Sequence, residues 1–453
     1  MLPLGIIMAD VRYNVILIAV DTLRADRVGC LGLNYLTMPN VDSLCRDSVA
    51  FTNHYAAGIP THPSFTTIFT GTTPLRHNIV CHDGKVQLSR SIRTLPQILN
   101  EAGYLTIAVD NLATHLNAGW FAWGYRYYID IGGIAVISNG IKVNGEYVNA
   151  KVKDALEIIN RHRGEPFFLF IHYWDPHTPY IPPKPYVERF YRGDYTRGDL
   201  VSRLNSTAWG RLLLKTDWMR DLVNSGVNDP DYVRALYDGE VAYVDERVGE
   251  LLKTIGDLGL LDDTLIVFTA DHGEGLGEHN VYYDHHGLYE WDVKVPLIIR
   301  LPDRLIDEVG RGRARGVKYD ALVQNTDIAP TILDALGIKI PEYMTGLSLL
   351  KVIRGESMGH DAVFSLENTR QTARMIRVGD WKLIQWIRDD TYGRRSGHIE
   401  LYNIAKDPTE SRNMAVEEGD VALRLLGLME RRYRELAGAN DPLIMQEISL
   451  PIK

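Results

Sequence analysis

The run NVILIAV at Asn14–Val20, followed at once by Asp21, decides the fold class of this chain. It is a continuous apolar stretch rich in β-branched residues, which is typical of a strand covered on both faces in a parallel sheet. Similar runs recur along the sequence, at Leu105–Val109, Phe167–His172, Leu265–Thr269 and Pro296–Arg300. Together they predict the strands of one buried sheet.

Amphipathic helical patterns separate these runs, at Thr94–Ala102, Val148–Arg161, Ala235–Leu258 and Ala329–Leu336. Strands that alternate with helices indicate an α/β fold, in which a mixed, mostly parallel sheet lies between layers of helices. We predict one catalytic domain over residues 1–360, interrupted at about 182–228 by a loop-rich insertion.

The pattern changes between residue 361 and the end at 453. Short strand patterns occur at Ala362–Leu366, Thr372–Val378, Trp381–Ile387 and Ile399–Ile404, and a helical pattern follows at Val416–Ala437. Consecutive strands followed by a helix predict a small C-terminal α+β domain.

The composition argues against some classes of partner. The 453 residues carry a net charge of -9, whereas proteins that bind nucleic acids usually display a clustered excess of positive charge. No stretch approaches the roughly 18 consecutive apolar residues of a membrane-spanning helix. We therefore expect no nucleic acid and no membrane as a partner, while a homo-oligomer is compatible with the sequence.

The cysteines bear on the compartment. Cys30, Cys45 and Cys81 are too few and too irregularly spaced for a disulfide framework or a cysteine-ligated zinc site. We expect three buried thiols, as is usual in a reducing compartment. The N-terminal MLPLGIIM also lacks the basic residues and the cleavage site of a secretory signal. The predicted location is therefore cytoplasmic.

Polar residues that follow the predicted strands are the first place to look for chemistry. In sheets of this kind, ligands bind outside the carboxyl ends of the strands, and Asp21, Asp175 and Asp271 each occupy that position. His272 comes directly after Asp271. Because a carboxylate and an imidazole together suit zinc or manganese, we predict a divalent metal site built from Asp21, Asp271 and His272.

Thr61, in GIPTHPSFTTIFTG, precedes a helix-like run. Its hydroxyl is therefore expected at a helix N-terminus, where free N–H groups and the helix dipole favour an anion. The same pattern is also that of an ordinary helix cap. A bound metal lowers the pKa of a hydroxyl and makes it a usable nucleophile. We predict that Thr61 is both a metal ligand and the nucleophile.

Two histidines and one asparagine complete the predicted site. His177 lies in WDPHTPY and His286 in YYDHHGLYE, and we expect them to bind the anion or to protonate the leaving group. Asn111 is expected to donate a hydrogen bond to it. A possible second metal site, formed by Asp175, His177 and His286, would activate the water that hydrolyses the covalent intermediate.

Motifs along nearly the whole chain match one known family. They include NVILIAVDTLRAD at 14–26, THPSFTTIFTG at 61–71, LIVFTADHGE at 265–274 and ELYNIAKDPTESRNMA at 400–415. With these motifs the chain resembles the sulfatase family of the alkaline phosphatase superfamily. The resemblance implies an alkaline phosphatase-like α/β sandwich, a smaller C-terminal sheet domain, and a divalent metal cofactor such as Mn, Zn or Ca.

The sequence also departs from the sulfatase pattern. Thr61 stands where the family has a Cys or Ser that becomes formylglycine, and oxidation of threonine would give a ketone instead. Phe65 replaces the signature Arg, His286 replaces a Lys, and Thr22 replaces the second acid of the opening turn. The cationic side chains that usually surround the sulfate are therefore largely absent. A threonine beside an Asp-His pair is similar to the phosphotransferring relatives.

The predicted function is metal-dependent hydrolysis of a small phosphate ester through a covalent phosphothreonine, with phosphodiesters or phosphonate monoesters preferred. VDTLRAD is similar to the opening of phosphonate monoester hydrolases, although those enzymes use formylglycine. A sulfatase acting on a small sulfate ester, a transferase that passes the group to another alcohol, and an inactive binding homologue are the alternatives, because fold alone does not prove chemistry.

Overall fold

The computed structural model describes residues 12–32, 37–82, 85–114, 118–132, 143–438 and 440–446. The strands up to residue 324 are β1 Asn14–Val20, β2 Val49–Tyr55, β3 Leu105–Asp110, β4 Tyr127–Asp130, β5 Phe167–Tyr173, β6 Thr264–Thr269, β7 Gly275–Leu276, β8 Tyr282–Asp284, β9 Leu297–Arg300 and β10 Val317–Gln324. All of them except β7 and β8, which pair with each other, form one sheet in the order β10-β2-β9-β6-β1-β5-β3-β4.

The large sheet is mixed and mostly parallel, as predicted. Only β9 runs against its neighbours, pairing antiparallel with β2 and β6. Strand β1 lies between β5 and β6, and its Ile16 pairs with Leu169 on one side and Ile266 on the other. Every residue of β1 after Asn14 is buried, which confirms the prediction drawn from its apolar run.

Helices flank the sheet and continue to the C-terminal region. They are α1 Pro39–Arg46, α2 Thr61–Thr70, α3 Pro74–His77, α4 Leu95–Glu101, α5 Gly145–Arg161, α6 Lys184–Phe190, α7 Leu200–Ser206, α8 Ala208–Leu213, α9 Asp217–Asn224, α10 Pro230–Asp257, α11 Glu290–Val293, α12 Asp303–Val309, α13 Arg311–Ala314, α14 Ile328–Ala335, α15 Leu350–Arg354, α16 Gly419–Ala437 and α17 Pro442–Met445. In the described part of the chain, no helix is both long and apolar enough to cross a membrane.

Alternate side chains of β1 enter two separate hydrophobic cores. Ile16 and Ile18 belong to the core that includes residues of α5 and α10. Val15 and Leu17 belong to the core that includes residues of α2, α4 and α14. Because successive side chains of a strand point to opposite faces, the sheet is covered on both sides, which confirms the predicted sandwich.

The stretch at about 182–228 was predicted to be loop-rich, which is wrong, whereas the prediction that it is an insertion stays a prediction. This stretch contains α6, α7, α8 and α9. The helices are too short to show a clear hydrophobic period, and local caps help to define them. The side chain of Thr207 accepts a hydrogen bond from Gly210 N at the start of α8, and Thr216 accepts one from Met219 N at the start of α9. Such caps stabilise a helix by about 1 kcal/mol.

The C-terminal region forms the predicted small α+β unit. Strands β11 Val363–Asn368, β12 Thr372–Val378, β13 Trp381–Trp386 and β14 Ile399–Asn403 make an antiparallel sheet. Leu425 and Met429 of α16 pack in one core with residues of this sheet. Strand β11 also contacts the segment between β2 and α2, where Ile59 N donates to Leu366 O at 3.0 Å. The boundary at residues 360 and 361 stays a prediction.

The cysteine prediction was wrong for two of the three residues. Cys30 and Cys45 form a disulfide, with their Cα atoms 6.5 Å apart, whereas Cys81 is a buried free thiol. Cys45 lies on α1, and the fold brings this helix back against the turn that carries Cys30, which spacing alone does not reveal. Disulfides persist mainly in oxidising environments. The cytoplasmic location therefore stays a prediction without support from the cysteines.

Candidate active site

The carboxyl ends of β1, β5 and β6 lie side by side in the middle of the sheet. Asp21 directly follows β1, and Asp271 follows β6 after one intervening residue. His272 Nε2 lies 3.2 Å from Asp271 Oδ2 and 3.9 Å from Asp21 Oδ1. All three side chains are fully buried. The structure thus brings together the three residues that the sequence predicted as metal ligands.

The chemistry of this cluster fits a divalent cation. Both carboxylate oxygens of Asp21, and Oδ2 of Asp271, lack a well-aligned hydrogen bond from any described residue. Buried carboxylates without such partners are strongly disfavoured unless a cation or a proton compensates them. One ligand atom from each of Asp21, Asp271 and His272 can be chosen so that all lie within 4.8 Å of one another. Carboxylates with an imidazole suit zinc or manganese.

Thr61 lies next to this cluster, at the first position of α2. Its side chain is fully buried, and its Oγ1 is 3.2 Å from His272 Nε2. The same turn of the helix is attached to the end of β6, because Ser64 Oγ donates to Asp271 O at 2.7 Å. The helix N-terminus offers free N–H groups to an anion bound at Thr61. The arrangement is suited to a nucleophilic hydroxyl beside a metal.

The turn after β1 is strained. Thr22 has a φ of 54°, which is a genuine outlier for a β-branched residue. Its backbone is held in place from both sides, since Thr22 N donates to Asp271 Oδ1 at 3.3 Å and Tyr237 Oη donates to Thr22 O at 2.8 Å. Strain of this kind concentrates at functional sites. The turn joins the carboxyl ends of β1 and β6.

A buried chain of polar groups holds Asp21 from behind, and it was not predicted. His172 Nε2 lies 3.3 Å from Asp21 Oδ2, and His172 Nδ1 lies 2.8 Å from Asp110 Oδ1. Tyr128 Oη donates to Asp110 Oδ2 at 2.5 Å. Burial lowers the pKa of His172, but the hydrogen bond with Asp110 and the nearby carboxylate of Asp21 raise it to about 9. The available signal was a histidine near the end of an otherwise apolar strand, FFLFIHY.

Replacing His172 tests whether this chain positions Asp21. We expect His172→Gln to weaken manganese or zinc binding by about 10- to 100-fold, as is typical when a partner behind a metal ligand is removed. Calorimetric titration of metal-free protein measures the effect. His162→Gln is the matched control, because His162 pairs with Glu165 at the protein surface. An unchanged affinity in His172→Gln would mean that His172 only fills space.

His177 and His286 lie near the metal cluster, on either side of His285. The ring centroid of His285 is 5.0 Å from that of His177, 4.9 Å from that of His286 and 4.8 Å from that of His272. His177 Nδ1 lies 2.6 Å from Thr178 O, and His286 Nδ1 lies 2.5 Å from Glu367 Oε1. Their predicted roles in binding the anion or protonating the leaving group stay predictions.

Asn111 and Asp175 make structural contacts. Asn111 Oδ1 accepts a hydrogen bond from Trp174 Nε1 at 2.7 Å, and Asn111 Nδ2 donates to Gly132 O. Asp175 Oδ2 accepts from Gly145 N at 2.7 Å, at the start of α5. The groups of described residues placed to hold a metal include neither Asp175 nor His177. The substrate contact of Asn111 and the second metal site with Asp175 stay predictions.

Sequence reasoning also missed a set of buried charged residues around His285 and His286. The buried ones are Glu274, Asp284, Asp292 and Glu367, and the partly buried Arg370 pairs with Asp284. Glu274 and Asp292 are fully buried, and no oxygen of either carboxylate has a hydrogen-bond partner among the described residues. Burial raises the pKa of both carboxyls well above the usual value. The segment from Asp271 to Asp292 is dense in acids and histidines, and this density was the missed signal.

Comparisons with known proteins agree with the fold. A family model described as Sulfatase matches residues 13–338, and one described as N-sulphoglucosamine sulphohydrolase, C-terminal, matches residues 277–436. An arylsulfatase of Clostridium perfringens is 24% identical over 479 residues, covering 95% of this chain and 95% of the relative.

The chain is also similar to proteins whose names refer to phosphatases or to phosphonate hydrolysis. The multifunctional alkaline phosphatase superfamily protein PehA of Trinickia caryophylli is 26% identical over 401 residues, covering 75% of this chain and 76% of the relative. A crystal structure of phosphonate monoester hydrolase of Agrobacterium radiobacter has a TM-score of 0.72 at 22% identity, covering 94% of this chain and 95% of the other. With a sulfatase model matching most of its length, the chain belongs to the sulfatase family, within the alkaline phosphatase superfamily.

Proposed function

We propose that this chain hydrolyses phosphate esters with Thr61 as the nucleophile and prefers phosphodiesters or phosphonate monoesters. The observation that carries the proposal is the position of Thr61 Oγ1, 3.2 Å from His272 Nε2 at the start of a buried helix. Asp21 and Asp271 stand beside it. A divalent cation held by these residues lowers the pKa of the hydroxyl and stabilises charge on the transferring group.

The proposed reaction has two displacements at phosphorus. In the first, the Thr61 hydroxyl gives up its proton to solvent and Oγ forms a bond to phosphorus while the bond to the leaving oxygen breaks, and His177 supplies the proton that the leaving oxygen takes up. In the second, water attacks the phosphorus bound to Thr61, which still carries its remaining substituent, and passes a proton to His177; the Oγ–P bond breaks, and Oγ takes up a proton from solvent, which restores the Thr61 hydroxyl. The N-terminus of α2 stabilises the anion in both steps.

The charges around the site support a substrate with one negative charge. Phe65 stands in place of the signature arginine and packs against His172, with ring centroids 4.8 Å apart. Without an arginine at this position, a second negative charge on the substrate has less to stabilise it in the buried site. A phosphodiester or phosphonate monoester is therefore favoured over a phosphate monoester, which carries two charges.

Hydrolysis of sulfate esters is the second candidate function. It is favoured by the arylsulfatase relative, whose similarity covers 95% of this chain. A sulfate monoester carries one negative charge, so the charge argument does not separate it from a phosphodiester. The loss of the formylglycine-forming residue at Thr61 supports the phosphate proposal instead.

A comparison of four aryl substrates tests the proposal. We expect kcat/KM of the metal-loaded protein to be at least about tenfold higher for the phosphodiester or phosphonate monoester than for the phosphate monoester and the sulfate, a difference of about 1.4 kcal/mol in barrier. Higher efficiency on the sulfate would replace this proposal with the sulfatase function. Turnover of none of the four by metal-loaded protein would favour a binding homologue.

A further inference from the structure

We propose that Asp284, His285 and His286 hold a second divalent cation, beside the site of Asp21, Asp271 and His272. One ligand atom from each of the three can be chosen so that all lie within 4.8 Å of one another. His286 Nε2 lies 3.7 Å from Asp284 Oδ1. Two ligands of a tetrahedral ion are about 3.4 Å apart when each lies about 2.1 Å from the metal, so small movements bring these atoms into coordination.

The remaining contacts of Asp284 and His286 leave the proposed ligand atoms facing each other. His286 Nδ1 lies 2.5 Å from Glu367 Oε1, and a carboxylate behind the imidazole is the usual support of a metal-bound histidine. Asp284 Oδ2 accepts a hydrogen bond from Tyr392 Oη at 2.7 Å and pairs with Arg370 Nε at 3.0 Å. Asp284 Oδ1 accepts a hydrogen bond from His285 N at 3.2 Å and lies 3.7 Å from His286 Nε2, so these two side-chain atoms face each other.

An independent observation comes from Glu274. This side chain is fully buried, and neither of its carboxylate oxygens has a hydrogen-bond partner among the described residues. Its Oε2 lies 3.8 Å from His285 Nδ1, an atom that also lacks a hydrogen-bond partner there. A carboxylate in this position requires a nearby cation or a proton. Glu274 thus points to a ligand beside His285.

The local charge balance supports a cation. Four fully or almost fully buried carboxylates lie around the proposed site, namely Glu274, Asp284, Asp292 and Glu367. Arg370 pairs with one of them, Asp284. The charge of a cation at the first site is already balanced by the carboxylates of Asp21 and Asp271. A second cation compensates the remaining charge, whereas the rival explanation is that protons neutralise Glu274 and Asp292.

The role of this cation in turnover depends on the proposed function. The prediction that the cation binds does not depend on it. The ring of His285 lies 4.8 Å from that of His272, so the two sites adjoin. A cation held by Asp284, His285 and His286 would lower the pKa of water beside the modified Thr61.

Metal counting on the intact protein tests the inference. Metal-free protein is loaded with manganese, freed of excess metal and measured by elemental analysis, with calorimetric titration for the affinities. We expect two ions per chain in the wild type and one in His286→Gln and in His285→Gln. His279→Gln, a nearby histidine whose ring stacks on Tyr289 at 3.8 Å, is the matched control and is expected to keep two ions.

The outcomes are distinct from those of the activity assay. One ion per chain in the wild type, or two ions in both histidine variants, overturns the second site even if the protein hydrolyses phosphodiesters. Two ions that fall to one in the variants support the site even if none of the four aryl substrates is turned over. Circular dichroism, together with retention of the first ion, shows that each variant is folded.

Discussion

Thr61→Ala is expected to lower kcat/KM on an aryl phosphodiester by about four orders of magnitude or more, because removal of a nucleophile typically abolishes most of the catalysis. Thr61 is fully buried, and its Oγ1 is 3.2 Å from His272 Nε2, so the substitution removes a hydroxyl directly beside the metal cluster. Steady-state kinetics measure the loss. In the wild type, rapid quenching followed by intact-mass measurement is expected to detect a covalent adduct with the mass of the phosphoryl unit and the ester group that it retains, and this adduct is expected to be absent in Thr61→Ala.

Two variants separate loss of the nucleophile from damage to the helix. Thr61→Ser keeps a hydroxyl and is expected to retain activity within about 100-fold of the wild type, with an intact mass that shows an unmodified serine. Thr66→Ala removes a buried hydroxyl from the same helix, where it accepts a hydrogen bond from Trp120 Nε1 at 3.0 Å. It is expected to lose stability and to keep turnover. Near-normal activity in Thr61→Ala would refute the nucleophile assignment.

The central strands were predictable because they are buried on both faces. Runs such as the one at β1 carry almost only apolar residues, and their limits in the structure agree with the predicted limits to within a residue or two. Strand β10 was missed for a physical reason. Strand β10 lies at the edge of the sheet and alternates half-buried with exposed residues over Val317–Asp320, so it lacks a continuous apolar run.

The predicted metal ligands were found because each lies within three residues of the end of a strand. Asp21, Asp271 and His272 needed only the rule that ligands bind at the carboxyl ends of parallel strands. Residues that act through contacts between distant segments could not be found in this way. Asp110 and His172 are 62 positions apart in sequence, and Glu367 reaches His286 from the C-terminal sheet. Only the folded structure brings these segments together.

Removal of divalent metal is expected to abolish turnover and to lower the free energy of unfolding by about 4 kcal/mol, relative to protein in which free metal exceeds its Kd about 1,000-fold. Asp21 and Asp271 are fully buried, and three of their four carboxylate oxygens have no hydrogen-bond partner among the described residues. Without a cation, these charges therefore destabilise the folded protein. Chelation followed by denaturant titration measures the loss, and added manganese or zinc is expected to restore both properties.

Asp271→Asn is the matched control for the chelation experiment. It removes a ligand charge while keeping the size of the side chain, so its stability is expected to be the same with and without metal. If the wild-type protein instead keeps its activity and stability after complete removal of metal, the cluster does not hold a functional cation. In that case protons must neutralise the buried carboxylates.

Metal affinity is expected to rise with pH, and the direction follows from His272. Burial lowers the pKa of this imidazole, but the charges of Asp271 and Asp21 raise it well above the usual value, so the metal-free protein holds a proton at the ligand nitrogen. Binding of the cation must release that proton. With one proton released, the apparent affinity increases about tenfold for each pH unit below the pKa of His272. Calorimetric titrations in buffers of different ionisation enthalpy measure the released proton, and an affinity independent of pH would show that His272 is not a ligand.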